Sequence, residues 1–243
     1  MIAASAANAS VYYSTNFSSG YSPGNLVGQN NWAQISTNSN TPIQVSSGLA
    51  VVGTSGQDVV RALTSTVPLT SSTTVYVSAS LKVTAAQSAG DYFLGLDTSA
   101  NGGGYYGRIF AKSSGAGFVL GLSAQTTTGT YGSTVLNLGE TYTVVYAWDF
   151  VSGAANDTFA MYVNPTSSTR ADLTSYLTAA WSGTEPSSAL ASIALRQGTA
   201  SSAPSVSVGS LAVGSSLTDV GVPAPGALAL LGVAGLVGSR RRR

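Results

Sequence analysis

Oxygen-bearing and aromatic side chains gather in one glycine-rich stretch of the chain. Asp91, Asp97 and Asn101 supply carboxylate and amide oxygens, and Tyr105 and Tyr106 follow a run of three glycines. Such oxygens are the ligands that Ca²⁺ prefers, and an exposed tyrosine ring suits the apolar face of a sugar. The stretch is therefore a candidate loop for Ca²⁺ or a sugar. The alternative is a plain hairpin tip, with solvated Asp side chains and Tyr105 or Tyr106 in the core.

Other chemistry is restricted by the residue types. The sequence has no His and no Cys, which excludes Ser-His-Asp and Cys-His arrangements, disulfides, and imidazole or thiolate metal sites. Glycosidases need two carboxylates at a set separation, but the two glutamates, Glu140 and Glu185, lie in unrelated contexts. A hydrolase built from Asp alone remains the minor alternative, and we expect no enzymatic activity and no cofactor beyond the candidate Ca²⁺.

Strand patterns recur between breaks of Gly, Ser, Asn, Thr and Pro. Thr73 to Val83 alternates strictly, and Thr141 to Phe150 is rich in β-branched and aromatic residues. Such period-two runs predict half-buried strands. About a dozen of them favour an all-β, two-sheet antiparallel sandwich or barrel, with room for a turn or short helix in residues 169–180. Three arginines lie within strand patterns, which predicts stems packed on the sheet and solvated heads: Arg61, Arg108 and Arg196.

The C-terminus has three physically distinct parts. Val222-Pro223-Ala224-Pro225 resists helix formation, and Gly226 to Gly238 has no polar side chain. As a helix this short hydrophobic run would cover roughly 20 Å, less than a bilayer core of about 30 Å. The positive-inside bias holds the terminal basic block on the cytoplasmic face and places the body outside. That block consists of Arg240, Arg241, Arg242 and Arg243.

The order of these parts resembles a PEP-CTERM sorting signal. The matching positions are Val222, Pro223 and Pro225, followed by the apolar run and the arginines, while Ala224 stands where the family motif has Glu. The resemblance implies an exported protein that is held briefly at the membrane by this tail. It also implies an exosortase-type enzyme that cuts near the Pro motif, and the secretion machinery as a further partner.

The body resembles, by pattern, the concanavalin A-like jelly-roll domains of lectins and laminin-G modules. This likeness implies a jelly roll and makes polysaccharide a candidate ligand. The residues that carry it are Phe17, Tyr21 to Gln29, Trp32, Tyr106 to Phe110, Thr141 to Phe150 and Asn156 to Pro165.

Charge argues against nucleic acid as a partner. Only 8% of residues are charged, and four of the ten basic residues are the terminal arginines, against nine acidic residues in the body. A mildly acidic body lacks the basic footprint that binding to phosphates requires.

These observations divide the chain into three segments. Residues 1–9 end in Ala7-Asn8-Ala9, the small-x-small end of a signal peptide, and we expect its basic start upstream of Met1. Residues 10–219 form the sandwich, and residues 220–243 form the sorting tail. The leading hypothesis is an exported, non-enzymatic protein of the cell envelope or extracellular matrix. A carbohydrate-binding module is the alternative, and a glycoside hydrolase is a more remote one.

Overall fold

Two antiparallel β-sheets face each other across a hydrophobic interior in the computed structural model of this protein. The structure describes residues 10–35, 41–70, 72–153, 156–181 and 185–224. The predicted all-β, two-sheet antiparallel sandwich is confirmed. Within these ranges the only helix is a 3₁₀ turn at Arg170–Asp172, and none is long and apolar enough to cross a membrane. The predicted C-terminal helix, Gly226 to Gly238, lies outside the described residues.

Sheet A has nine strands in the order β14-β13-β12-β7-β16-β5-β4-β2, with β1 also paired to β16. Its strands are β1 (Val11–Asn16), β2 (Gly24–Asn25), β4 (Gln44–Ser46), β5 (Leu49–Val52), β7 (Ser72–Ala85), β12 (Thr141–Val151), β13 (Thr158–Val163), β14 (Leu177–Ala180) and β16 (Ser205–Gly214).

Sheet B has seven strands in the order β11-β10-β9-β8-β15-β6-β3. Its strands are β3 (Ala33–Gln34), β6 (Val59–Val67), β8 (Asp91–Asp97), β9 (Tyr106–Ser114), β10 (Gly117–Ser123), β11 (Thr130–Tyr131) and β15 (Leu190–Leu195).

Alternation of side chains in β7 and β12 fills the space between the sheets. Successive strand residues point to opposite faces, so one face of each strand supplies the core. The residues on one face of β7 are all buried, and so are four of the five on the matching face of β12, where Tyr142 packs at the margin. The buried set is Val75, Val77, Ala79, Leu81 and Val83 on β7, and Val144, Tyr146, Trp148 and Phe150 on β12.

An aromatic stack closes one part of this core. The ring centroids of Trp148 and Trp181 are 5.3 Å apart with an interplanar angle of 16°, and Phe159 stacks on both. The indole N–H of Trp148 donates to Asp157 Oδ2 at 2.8 Å, and the backbone N–H of Val151 donates to Oδ1 at 2.7 Å. Asp157 is buried, so these bonds satisfy a carboxylate that would be costly to bury alone.

The C-terminal end of the described chain folds back over the outer face of sheet A. After β16, the segment 215–222 lays three apolar side chains on residues of β7, β12 and β13. The backbone N–H of Val222 donates to the carbonyl of Leu217 at 3.0 Å and closes the segment. Val222 is buried, whereas Pro223 is exposed. Packing of the body therefore extends through Val222. This outer cluster contains Tyr76, Val145, Ala147, Ala160 and Tyr162 beneath Leu217, Val220 and Val222.

Truncation of one side chain tests that packing. Leu217 is 3% exposed, so Leu217→Ala should lower the free energy of unfolding by about 2–4 kcal/mol because it leaves a cavity over the sheet. Leu138 is 40% exposed, and Leu138→Ala should change the free energy by no more than about 0.5 kcal/mol. Urea unfolding measures both, and equal losses would show that segment 215–222 does not pack on the sheet in solution.

Candidate functional site

The structure divides the five predicted loop residues between different surroundings. Asp91 begins β8 and Asp97 ends it, and Tyr106 begins β9. Asn101 is exposed at the turn between these strands, and Tyr105 is buried just before β9. The five side chains therefore do not converge on one ligand position.

Asp97 organises the turn that joins β8 to β9. Its Oδ1 accepts the backbone N–H of Ser99 at 2.8 Å, and its Oδ2 accepts the backbone N–H groups of Gly104 and Tyr105. The residue is 2% exposed. Three donors thus occupy the oxygens that the sequence offered to Ca²⁺, and no group of three or more acidic residues within the described ranges is arranged to hold a metal.

Tyr105 and Tyr106 point to opposite faces of sheet B. Tyr105 has a positive φ of 50°, a conformation uncommon outside glycine, and its ring covers Gly95 on the outer face. Tyr106 lies over Trp181 on the inner side, with centroids 6.3 Å apart and planes inclined by 13°. Neither ring is presented fully to solvent, because Tyr105 is buried and Tyr106 is half-buried.

Small residues on the neighbouring strands β8 and β15 make room for the Tyr105 ring. Ala194 on β15 is paired with Gly95 on β8 and with Val60 on β6. A Cβ atom at Gly95 would lie 3.4 Å from Tyr105 Cδ1. The Tyr105 hydroxyl then reaches Asp58, donating to its Oδ2 at 2.9 Å. The loop before β9 is thereby tied to the start of β6.

Charged and aromatic side chains from four adjacent strands meet beside this bond. Arg108 and Arg196 both lie over the ring of Tyr92, with guanidinium carbons 4.4 and 4.0 Å from its centroid, an attractive cation–π geometry. Arg196 Nη1 also pairs with Asp91 Oδ1 at 2.9 Å. We call this group the Tyr92 cluster. Its members are Asp58, Asp91, Tyr92, Tyr105, Arg108 and Arg196.

Burial sets the electrostatics of the Tyr92 cluster. It raises the pKa of Asp58, and the hydrogen bonds from Tyr105 and from the backbone N–H of Gln197 oppose that rise. Burial also lowers the pKa of Arg108, whose Nε donates to the carbonyl of Tyr105 at 2.6 Å. A raised carboxyl pKa is what a general acid needs, but each Asp58 oxygen already accepts a hydrogen bond.

The prediction of solvated arginine heads is wrong for Arg108. This residue is 7% exposed, because its guanidinium lies on Tyr92 and donates to the carbonyls of Tyr105 and Gly104.

Sequence reasoning also missed Asp58 as a site residue. The alternation of Arg108, Phe110 and Lys112 along β9 carried a usable signal, since it places two cations on the same face as an aromatic ring.

The outer face of sheet B around the Tyr92 cluster has a partly exposed margin, which is formed by residues of β9 and β11. Lys112 Nζ lies 5.2 Å from the ring centroid of Tyr131, and the Tyr131 ring meets Phe110 edge-on. Burial, together with the charge of Asp91, raises the pKa of Tyr131 to about 12. Asp91, Lys112, Tyr131 and Arg196 are partly exposed along this margin.

Every carboxylate of the body has a hydrogen-bonding partner. Glu140 accepts from the Tyr142 hydroxyl at 2.9 Å, and Glu185 accepts from the backbone N–H of Gly153 at 3.3 Å, so the two glutamates belong to different loops. The full set is Asp58, Asp91, Asp97, Glu140, Asp149, Asp157, Asp172, Glu185 and Asp219.

Comparison with known proteins gives similar solved structures only. No family model and no curated protein matches the sequence. Similar solved structures include a SAP-like pentraxin from Limulus polyphemus (16% identity, 68% of this chain and 74% of that one, TM-score 0.46). Lectin II from Ulex europaeus (12%, 84% and 98%, 0.45) and a β-1,3-glucanase from Mycobacterium marinum (8%, 84% and 98%, 0.47) are others. Neither a ligand nor a reaction follows from likeness at these levels.

Removal of one hydroxyl tests the bond that ties Tyr105 to Asp58. Tyr105→Phe should raise the pKa of Asp58 further, because the hydrogen bond that favours the ionised carboxylate is lost. It should also lower the free energy of unfolding by about 1–2 kcal/mol at neutral pH. Carboxyl ¹³C NMR titration measures the pKa, with Tyr106→Phe as the control that leaves it unchanged. An unaltered Asp58 pKa in Tyr105→Phe would contradict the contact.

Proposed function

We propose that this chain is an exported, non-enzymatic β-sandwich protein of the cell envelope or extracellular matrix. It is held briefly at the membrane by its C-terminal tail and released by an exosortase-type enzyme. The position of the two ends of the described body supports this proposal most directly. Both ends lie side by side, so that a leader and a tail can be removed without disturbing the sandwich.

Hydrogen bonds join the two ends. The backbone N–H of Ser215 donates to the carbonyl of Ser10 at 3.0 Å, and the backbone N–H of Ser10 donates to Ser215 Oγ at 2.9 Å. Strand β1 then runs antiparallel to β16 from Val11 opposite Gly214. Ser10, the first described residue, therefore lies beside Ser215 and Asp219, a few residues before the last packed residue, Val222.

The exposure of the Pro motif fits a processing site. Val222 is packed on sheet A, whereas Pro223 and Ala224 are exposed, and Pro225 and Arg240 to Arg243 lie outside the described residues. A processing enzyme can bind an extended exposed segment more readily than a packed one. The cut is therefore expected C-terminal to Val222, which leaves the outer cluster of sheet A complete.

The use of the acidic residues supports a non-enzymatic role. Hydrolysis of a glycoside requires one carboxyl that gives up a proton and a second that attacks or activates water. In this body each carboxylate is held by structural donors, as with Asp97 in its turn and Asp157 beneath Trp148. Such bonds fix backbone turns and buried rings, which is a structural task.

Cell fractionation with mass spectrometry of the mature C-terminus tests the proposed localisation and processing. We expect an envelope or extracellular species that ends between Pro223 and Gly226 and lacks the terminal arginines. Replacement of Arg240 to Arg243 by Ser should abolish membrane retention before processing, because the block that stays on the cytoplasmic face is gone. An intact Arg243 in the membrane fraction would make the tail a simple anchor, and intact cytoplasmic protein would overturn the proposal.

A second candidate, carbohydrate binding, is favoured by the margin of the Tyr92 cluster. Tyr131 is partly exposed, and Lys112, Arg196 and Asp91 have polar atoms on the same surface that can bond sugar hydroxyls. A mixed surface of this kind suits a saccharide better than a purely apolar ligand. Tyr105 is buried and is not part of it.

A glycan array tests this second candidate. If the margin binds glycans, Tyr131→Ala should reduce the signal at least tenfold, whereas Tyr131→Phe, which keeps the ring, should retain most of it. A tenfold loss corresponds to about 1.4 kcal/mol. Tyr142→Ala, on the other sheet, is the matched control. No signal from the unaltered protein on any glycan rejects carbohydrate binding, and release of reducing sugar from a polysaccharide panel would favour a hydrolase.

A further inference from the structure

Two hydrogen-bond acceptors face the backbone nitrogen of Ser10, one more than the single hydrogen of an amide can fully satisfy. Ser215 Oγ is 2.9 Å away and Asp219 Oδ2 is 3.1 Å away. An amide nitrogen carries one hydrogen, which must be shared between these two oxygens. An ammonium nitrogen carries three and satisfies both with separate, charge-assisted hydrogen bonds. The geometry suits a chain terminus better than a peptide bond.

Hydrogen bonds from neighbouring groups favour the ionised form of Asp219, which can pair with an ammonium group. Its Oδ2 also accepts the backbone N–H and the hydroxyl of Ser215, at 3.2 and 3.0 Å, and its own N–H donates to Ser216 Oγ at 3.2 Å. Although burial raises it, the pKa of Asp219 is lowered on balance by these hydrogen bonds. The carboxylate is therefore ionised at neutral pH and faces Ser10.

We propose that cleavage of the Ala9–Ser10 peptide bond creates an α-ammonium group at Ser10 that pairs with Asp219 and fastens β1 to the base of the tail. Water adds across the bond: the Ala9 carbonyl carbon takes the hydroxyl, the C–N bond breaks, and the Ser10 nitrogen takes the hydrogen. The proton that the new Ala9 carboxyl group loses then balances the one that the Ser10 amine gains. The inference rests on the proposed export, because a signal peptidase of the secretion route supplies the hydrolysis.

Position along the chain favours this bond over its neighbours. The small-x-small sequence Ala7-Asn8-Ala9 precedes Ser10, and Val11 is already paired with Gly214 in the sheet. A cut one residue later would remove the nitrogen that faces Asp219. A cut at Ala9–Ser10 is the last one that keeps both the Ser10 nitrogen beside Asp219 and the whole of β1.

Few other charges face the Ser10 nitrogen. A groove of about 320 Å³ beside Asp219 is lined by hydroxyl, amide and apolar groups, and Asp219 is the one ionisable side chain among its described lining residues. Beneath segment 215–222 lie the phenols of Tyr76 and Tyr162, the latter bonded to Arg170, which pairs with Asp149. Tyr76 has a raised pKa and stays neutral below pH 10.

The ion pair has a defined pH window. An amine that gains a carboxylate partner has a folded-state pKa above its ordinary value of about 7.7–8.0. Its contribution to stability is complete below that ordinary value and is lost as the pH rises through the raised one. Because Asp219 must also be ionised, the contribution falls again at acid pH. Stabilisation by the free amine should therefore be largest between about pH 5 and 7.

Four proteins, all spanning residues 10–243, test the pair. They carry either a free or an Nα-acetylated Ser10, each with Asp219 or with Asp219→Asn. The acetylated chain keeps the amide hydrogen bond and every side chain but lacks the charge. At pH 6.5 the free amine should raise the folded-to-unfolded ratio about two- to fivefold over the acetylated chain when Asp219 is present. The gain should vanish with Asp219→Asn and at pH 10.

Each outcome decides a separate question. Equal stability of the free and acetylated chains at pH 6.5 overturns the ion pair, even if Asp219→Asn fails to fold. N-terminal sequencing of native protein should give Ser10, and any other mature first residue overturns the processing site. Protein that stays in the cytoplasm with its leader attached refutes the proposed export instead, while the four-protein comparison still reports on the pair.

Discussion

Pairing of strand β16 is the constraint on which both the sandwich and its termini depend. This strand, the last of the described chain, is paired with β7 along one edge and with β1 and β5 along the other. β15 has a similar place in sheet B, between β8 and β6. Neither sheet is complete until residues 190–214 are available, so the contacts that complete the fold are non-local. Folding should therefore finish only after the whole body has been synthesised.

The same constraint explains why the outer faces need covers. On sheet A, Tyr76 and Val145 point away from the core, and segment 215–222 after β16 packs over them. Sheet B lays Tyr92 and Phe110 outward, and Arg108 and Arg196 cover the Tyr92 ring. With few charges in the chain, most are used in this way, as partners for a ring, a turn or a terminus. Stability therefore rests on burial of apolar side chains on both faces of each sheet. The charged side chains fix the positions of the rings and turns that they contact.

Alternation along single strands made the core predictable, whereas the site depended on register between strands. Trp148 and Val77 could be assigned inward because a period of two fixes the face. The contact of Asp58 with Tyr105 could not, since β6, β8 and β15 are brought together only by pairing across the sheet. Tyr105 and Tyr106 are adjacent in sequence and their rings lie on opposite faces, as successive residues of a strand do, but the positive φ of Tyr105 marks a turn immediately before β9. Local backbone geometry of that kind is not visible in residue types.

The boundary between body and tail shows how packing refines a motif. By pattern, Val220 and Val222 belong with the residues that follow them, since Pro223 and Pro225 mark a change in chain character. By burial, both valines belong to the sandwich, because they cover Tyr76 and Tyr162 on sheet A. Asp219 lies between these valines and β16, and its bonds to Ser10 and Ser215 hold the residue before β1 beside the segment that leads to Val222. A tail attached in this way can be lost without exposing the core, since its last packed residue, Val222, stays with the body.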